Sequence, residues 1–386
     1  MWHFHTSMAA PPNSPPVNAP TPSRKIGAPT SVWVVVVIVV AAGLGGVGFV
    51  AGYEYRGSPA SSPAATVNST LSVYGAGTLN SIFPEIANQL VNETPGITDP
   101  VSASNYEGSL DITGAITTGT RTDVAALADF RLIPQLLEPK YANWEVVFGS
   151  TAEVLAYQPG NPAFAGATSA NWPSYLLNAT ASVPMGIWNA STDPNGYNEI
   201  FSMMLQGMIY DGGNTSAVYG HFYSGVPGSF ATGRANTKIE HEGQAASLLS
   251  AGVVSAVITY RSYAVTNHLA FVPFDPIVGL AANSSTALAD YAMLSTMITP
   301  SLGVFEKVVP APVLFAATVP LNAPNPALGA AFLHLLLSPQ GAAFLSQGGA
   351  FSPIFPGWSD DPSAVPSVLA PDVTGLPSWA TSWLPP

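Results

Sequence analysis

Residues 71–91 read LSVYGAGTLNSIFPEIANQLV. LSVY is a short apolar run with strand character, and Gly75-Ala76-Gly77 supplies a turn. Thr78 is a residue type that caps helix N-termini. Beyond it, Leu79, Ile82, Phe83, Ile86, Leu90 and Val91 recur at helical spacing. One strand, one tight turn and one amphipathic helix in this stretch make the opening unit of an α/β fold.

The unit repeats along the chain. Pro100–Ala103 is a second strand candidate, followed by Glu107-Gly108-Ser109 and a further helix. Val124–Leu127 is a third strand, and Leu132–Leu137 a short helix closed by Pro139. Val146–Tyr157 continues as one extended pattern. Val183–Trp188, the turn Asp193-Pro194-Asn195-Gly196 and the helix Tyr197–Tyr210 repeat the logic. Gln244–Ser250 is helical, Val254–Tyr260 and Val313–Val319 are strands, and Pro326–Leu337 and Pro339–Ser346 are helices. Alternating β and α elements predict a parallel sheet covered by helices. In such sheets ligands bind beyond the carboxyl ends of the strands.

Length and charge narrow the function. The 386 residues exceed what one core usually serves, so two lobes are expected. Ten Lys+Arg face 22 Asp+Glu, a net charge of −12. That balance argues against nucleic acid and anionic membrane surfaces as partners. An anion site here must use local hydrogen-bond donors. The chain has no cysteine, which excludes disulfides, thiolate metal sites, Cys nucleophiles and a lipidated Cys anchor.

The N-terminal region divides into a tail (1–31), an apolar span (32–52) and a Ser/Pro/Ala/Thr-rich linker (53–70). The span, VWVVVVIVVAAGLGGVGFVAG, carries no charge and is long enough to cross a bilayer. Arg24 and Lys25 before it, against Arg56 offset by Glu54, place the bulk of the chain outside a single-pass membrane anchor. A cleaved signal peptide is the alternative. Gly43 to Gly48 spells GxGxxG, but inside an apolar span it lacks the strand, helix and acidic residue of a dinucleotide site. Sequons at Asn68, Asn92, Asn178, Asn189, Asn214 and Asn283 suit an outward-facing glycoprotein.

No GxSxG, HExxH or GxxxxGK[S/T] motif is present, and no nucleophile–base pair can be assembled, so no enzyme activity and no cofactor are expected. His3 and His5 lie in the tail. His334 sits in an apolar helix, where packing is the expected role, and His241 beside Glu242 reads as a loop histidine.

Three blocks carry a resemblance to the archaeal tungstate/molybdate-binding proteins of ABC transporters. Tyr74-Gly-Ala-Gly-Thr-Leu79 resembles that family's first-strand turn, with Thr78 in place of the usual Ser. Ala126-Leu-Ala-Asp-Phe-Arg-Leu-Ile-Pro134 and Glu138-Pro-Lys-Tyr-Ala-Asn-Trp144 resemble its longest motif. Asp193-Pro-Asn-Gly-Tyr197, with Ile258-Thr-Tyr-Arg-Ser262, is the third. The helix pair in Phe332–Gly349 is similar to one common in such proteins. The resemblance implies a two-lobed periplasmic-binding-protein fold of class II type, with lobe 1 at 71–154, lobe 2 at 155–270, a return to lobe 1 at 271–356 and a Pro-rich C-terminal tail at 357–386.

It also implies a site. Thr78 and Ser109 would offer hydroxyl-bearing turns, Tyr260 a further contact, and Asp193 and Glu242 carboxylate ligands to the tungsten or molybdenum of the bound oxyanion. Glu240 is the alternative to Glu242. The implied protein is a monomer that delivers its ligand to the permease and ATPase subunits of an importer, closing on hinges near 150–157 and 268–275. Another oxyanion, sulfate or phosphate, and a surface adhesion protein without a small ligand are the competing readings.

Overall fold

The computed structural model of the chain describes residues 69–98, 103–223, 236–239, 242–299 and 306–384. The apolar span 32–52 and almost all of the linker lie outside these residues. Among the described residues no single helix is long and apolar enough to cross a membrane.

Among the described residues most strands belong to a seven-stranded or a five-stranded sheet, each of which forms a lobe with its helices, and two short ladders, Ser69–Thr70 with Ile97–Thr98 and Thr296–Ile298 with Glu306–Val308, stand apart. The first lobe opens with β1 (Val73–Ala76), β2 (Asn105–Glu107), β3 (Val124–Leu127) and β4 (Val146–Ser150). The second contains β5 (Glu153–Tyr157), β6 (Met185–Trp188), β7 (Asn236–Ile239), β8 (Ala256–Tyr260) and β9 (Ala270–Pro273). The chain then returns with β10 (Leu314–Thr318), β11 (Ser352–Ser359) and β12 (Val373–Gly375). The helices that matter below are α1 (Phe83–Glu93), α2 (Ser109–Thr117), α3 (Pro194–Tyr210), α4 (Glu242–Ser250), α5 (Arg261–Thr266), α6 (Pro326–Leu336) and α7 (Pro339–Leu345).

The first sheet runs β12-β11-β4-β10-β3-β1-β2 and the second β9-β5-β8-β6-β7. Both contain one shared pattern. β2-β1-β3 and β7-β6-β8 are parallel triplets. Each triplet is followed by a strand of opposite direction, β10 in the first sheet and β5 in the second. Beyond that strand lies one antiparallel to it, β4 or β9. The expectation of a parallel sheet is therefore corrected to two mixed sheets. The reason is the crossover. β5 leaves the first lobe and β10 returns to it, and each strand enters its new sheet reversed.

The extended pattern Val146–Tyr157 is two strands rather than one. It breaks at Thr151-Ala152, and its halves belong to different sheets. The segment from Gly357 is not a loose tail. Gly357 lies within β11, and β12 pairs parallel to it with Gly357 opposite Val373. His334 also departs from its expected packing role. Its side chain is half exposed, and Nδ1 sits 2.9 Å from the Asp372 carboxylate.

Apolar strands explain the core. Every residue of β3, β6, β8 and β10 is buried, as expected of strands covered on both faces. In the first lobe Phe83 of α1 meets Phe332 of α6 edge-on at 5.2 Å and Phe148 of β4 at 5.8 Å. Phe148 continues to Phe315 at 6.2 Å, and Phe315 to Tyr260 of the second sheet at 5.7 Å. Edge-to-face rings at these separations pack favourably beyond their buried area.

Candidate functional site

The parallel triplets set the site. Each of their six strands ends in a turn that carries a polar residue. β1 is followed by Thr78, β2 by Ser109, β3 by Asp129, β6 by the turn to Asp193, and β7 by Glu242 at the start of α4. β8 ends on Tyr260, with Ser262 just beyond. Carboxyl ends of parallel strands, with helices beginning there, form the usual binding crevice of α/β sheets.

These ends meet one another across the lobes. Thr78 Oγ1 and Ser262 Oγ share a hydrogen bond of 2.9 Å. Thr78 is not a helix cap as its residue type suggested. It lies inside the 3-10 turn Gly77–Leu79, and α1 begins only at Phe83, after Ile82. Ser262 N–H in turn donates to Thr151 Oγ1 at 3.2 Å, at the crossover between the sheets. At the next strand end, Leu110 N–H of α2 donates to Thr192 O at 3.0 Å. A Cβ at Gly108 would lie 2.2 Å from that same Thr192 O, so glycine is what lets the two turns approach this closely.

At the third strand end, Tyr197 O–H donates to Asp129 Oδ2 at 2.7 Å. Asp129 is held from its own side by Arg131, through Nε to Oδ1 at 2.9 Å and a terminal nitrogen to Oδ2 at 2.6 Å. The remaining terminal nitrogen of Arg131 donates to Val309 O at 2.9 Å. Burial alone would raise the Asp129 carboxyl. The charge and hydrogen bonds of Arg131, with Tyr197, overcome it and hold the group below the usual carboxylate range. Every nitrogen of this buried guanidinium is thus engaged by protein.

Asp193 caps α3, accepting from Asn195 N–H at 2.8 Å. Burial pushes its carboxyl up, the Asn195 N–H offsets part of that, and the charge of Asp111 across the junction pushes it further, to about 7. Ser109 is fully buried and its Oγ accepts from Ala128 N–H at 2.9 Å, which ties the β2 and β3 ends together. Tyr260 is buried, and its hydroxyl accepts from Asn198 Nδ2 at 3.2 Å. Glu242 opens α4, while its side chain, and Glu240 and His241, lie outside the described residues. Two interlobe contacts thus stand beside the expected residues: Thr78 meets Ser262, two residues past Tyr260, and Gly108 and Leu110, flanking Ser109, meet Thr192, the neighbour of Asp193.

Sequence reading passed over several residues here. Asp111, in the first turn of α2, faces Asp193 electrostatically. Glu153 is fully buried in β5 opposite Tyr260. With its amide turned to satisfy both neighbours, Asn195 donates to the Glu153 carboxylate at 3.0 and 3.2 Å and accepts from Trp188 Nε1 at 2.6 Å. The available signal was a polar stripe. Asn195, Asn198, Glu199, Ser202 and Gln206 share one face of a largely apolar helix, and all of them are buried.

The sequence profile of the family described as bacterial extracellular solute-binding protein matches residues 71–350. That range spans all of the strand ends above. An uncharacterised solute-binding protein of Methanoculleus marisnigri is 27% identical over 315 residues, covering 78% of this chain and 86% of that protein. The molybdate/tungstate-binding protein of Pyrococcus abyssi is 26% identical over 237 residues, covering 58% of this chain and 66% of that one. Among solved structures, the sulfate-binding protein SubI of Mycobacterium tuberculosis matches with a TM-score of 0.51 at 13% identity, covering 83% of this chain and 92% of that one. This last likeness is one of fold.

Proposed function

The chain belongs to the bacterial extracellular solute-binding protein family, and from that premise we propose that it captures a tungstate- or molybdate-type oxyanion between its lobes and delivers it to an ABC importer. The observation that carries this reading is Asp193. A buried carboxylate stands next to the interlobe contact of Thr192 with Leu110, with Asp111 close enough to raise it. The buried guanidinium of Arg131 has every nitrogen bound elsewhere.

That set is wrong for sulfate. A carboxylate aimed at a sulfate dianion is repulsive and unpaired, and burial makes the repulsion worse. A hexavalent tungsten or molybdenum centre is large enough to accept further oxygen ligands, whereas sulfur is not. Asp193 and Glu242 would then bind the metal directly and exclude sulfate by the same contact. Thr78, Ser109 and Tyr260 would orient the oxo groups. The name of the Pyrococcus abyssi relative supports the ligand class.

The remaining parts extend the same reading. The protein acts as a monomeric binding subunit, and its closed form docks on a membrane permease served by an ATPase. The span 32–52 tethers it with the binding lobes outside. The sequon residues Asn92, Asn178, Asn214 and Asn283 are exposed, as acceptors of glycans must be. The test is substitution. Asp193→Ala and Glu242→Ala should each weaken tungstate binding and erode its preference over sulfate. Variants that keep both properties would remove the assignment.

A further inference from the structure

The first lobe carries a second polar cluster at the opposite end of its sheet. Glu138 follows the helical turn Ile133–Leu137, Glu145 precedes β4, and Asp360 follows β11. β4 and β11 are antiparallel neighbours, with Val147 opposite Trp358. The start of one and the finish of the other therefore lie side by side. β4 runs from this end to the interlobe crossover, so the cluster lies a strand length, about 17 Å, from the Thr151 turn.

One carboxylate oxygen from each of the three residues lies within 4.8 Å of the other two. Glu145 is fully buried. Its Oε1 accepts from Asp360 N–H at 3.0 Å, and its Oε2 has no hydrogen-bond donor. Oε1 of Glu138 is also buried without a donor. The side-chain charges that act on Glu138 and Glu145 are all acidic, from Asp360, Asp361 and each other. A buried carboxylate without a donor or a cation is the kind of group proteins rarely retain.

We propose that Glu138, Glu145 and Asp360 form a binding site for a hard divalent cation, calcium above others, that fastens the C-terminal segment to the first lobe. The donor set is all oxygen and all anionic, which suits calcium rather than a softer metal. Calcium–oxygen bonds of about 2.3–2.6 Å put two ligands of one ion no more than about 5 Å apart, and the three oxygens meet that limit. Calcium also tolerates an irregular shell completed by water and backbone oxygens.

The position gives the ion a task. Asp360 lies beyond the residues 71–350 shared with the family, at the point where the chain leaves β11 to form β12 and the turns up to Leu384. An ion held there joins that added segment to the loop that leads into β4. This site is independent of the oxyanion reading.

The competing account is a proton shared between the Glu145 and Asp360 carboxyls, with no ion. The experiment uses the full chain freed of metal by a chelator. Calcium is titrated against thermal unfolding, and terbium emission excited through tryptophan, Trp144 being the neighbour of Glu145, reports direct binding. The expected result is a saturable rise in unfolding temperature near about 1 mM calcium, the range of extracellular sites, and terbium emission displaced by calcium. Glu145→Gln and Asp360→Asn should each weaken both signals by about tenfold or more, since site affinity follows ligand charge. Glu145→Gln keeps the side-chain shape, and the partly exposed Asp360 gives a second variant that does not disturb the core. No calcium effect on the wild type, or an equal effect in both variants, would overturn the proposal.

Discussion

Tyr197 of the second lobe donates its phenolic proton to Asp129 of the first at 2.7 Å. Both residues are buried, and they come from separate blocks of sequence, DFR and DPNGY. The bond is one of those that hold the lobes together over the site. Tyr197→Phe removes it and leaves Arg131 as the main partner of Asp129. A hydrogen bond to a charged group contributes about 1.5–3 kcal/mol. If closure and ligand capture are coupled, oxyanion affinity falls by roughly tenfold to a hundredfold in this variant, read by calorimetry. Unchanged affinity would separate the clasp from binding.

Arg131→Met tests the other half of the clasp. It leaves Asp129 buried without its counter-charge, a change that costs about 3–5 kcal/mol when one partner of a buried pair is removed. The sign of the pH dependence follows from the lowered Asp129 carboxyl. A depressed folded value contributes stability above the unfolded value and loses it as pH falls through the folded one. Denaturant unfolding should show the largest gap between wild type and variant near neutral pH. The gap should narrow below about pH 4, and a gap that is constant down to strongly acid pH would refute the assignment.

Asp193 predicts the opposite trend. Its carboxyl is raised to about 7, so its contribution to stability is complete below the unfolded value and is lost as pH rises through 7. A metal centre needs the ionised form. Tungstate affinity should therefore climb between pH 6 and 8, by up to about tenfold per unit while the group is mostly protonated. Asp193→Asn is the informative variant, because asparagine caps a helix as well as aspartate does. It should keep α3, bind tungstate less tightly, and flatten the pH profile. A profile unchanged in Asp193→Asn would show that another group titrates.

Gly108→Ala addresses closure without touching a ligand-contacting side chain. Its Cβ would fall 2.2 Å from Thr192 O, and both partners are backbone that cannot swing aside. The lobes must then part locally. Affinity should drop by about tenfold or more, at least 1.4 kcal/mol, with little change in far-ultraviolet circular dichroism. Small-angle scattering of the ligand-bound variant should show a larger radius of gyration than the wild type.

Much of the fold is legible in the sequence because its signals are local. The alternation in LSVY and the helical spacing from Leu79 to Val91 lie within one stretch of chain, and so do the strands at Val124–Leu127 and Leu314–Thr318. Strand direction is not local. β10 sits between β3 and β4 although it follows both of them far along the chain, after the whole second lobe, and no periodicity reports that insertion. The break at Thr151-Ala152 is equally silent, since two consecutive apolar strands look like one. At the site, residue type misled for Thr78. Its hydroxyl is turned to Ser262, 184 residues away, rather than to its own helix. Asp129 and Arg131 stood in a recognisable motif, yet their ion pair and the Tyr197 bond need the assembled lobes. The buried face Asn195, Asn198, Glu199 and Ser202 is legible as polar spacing on α3.

In the proposed function, the buried Asp193 carboxylate at the interlobe junction, with Glu242, selects a metal oxyanion. Isothermal titration calorimetry of the wild-type chain with tungstate, molybdate, sulfate and phosphate tests it most directly. Tungstate and molybdate should bind saturably at one site per chain, with sulfate and phosphate weaker by at least about a hundredfold, or about 2.7 kcal/mol. Sulfate or phosphate binding as tight as tungstate, or no heat from any of the four, would contradict it.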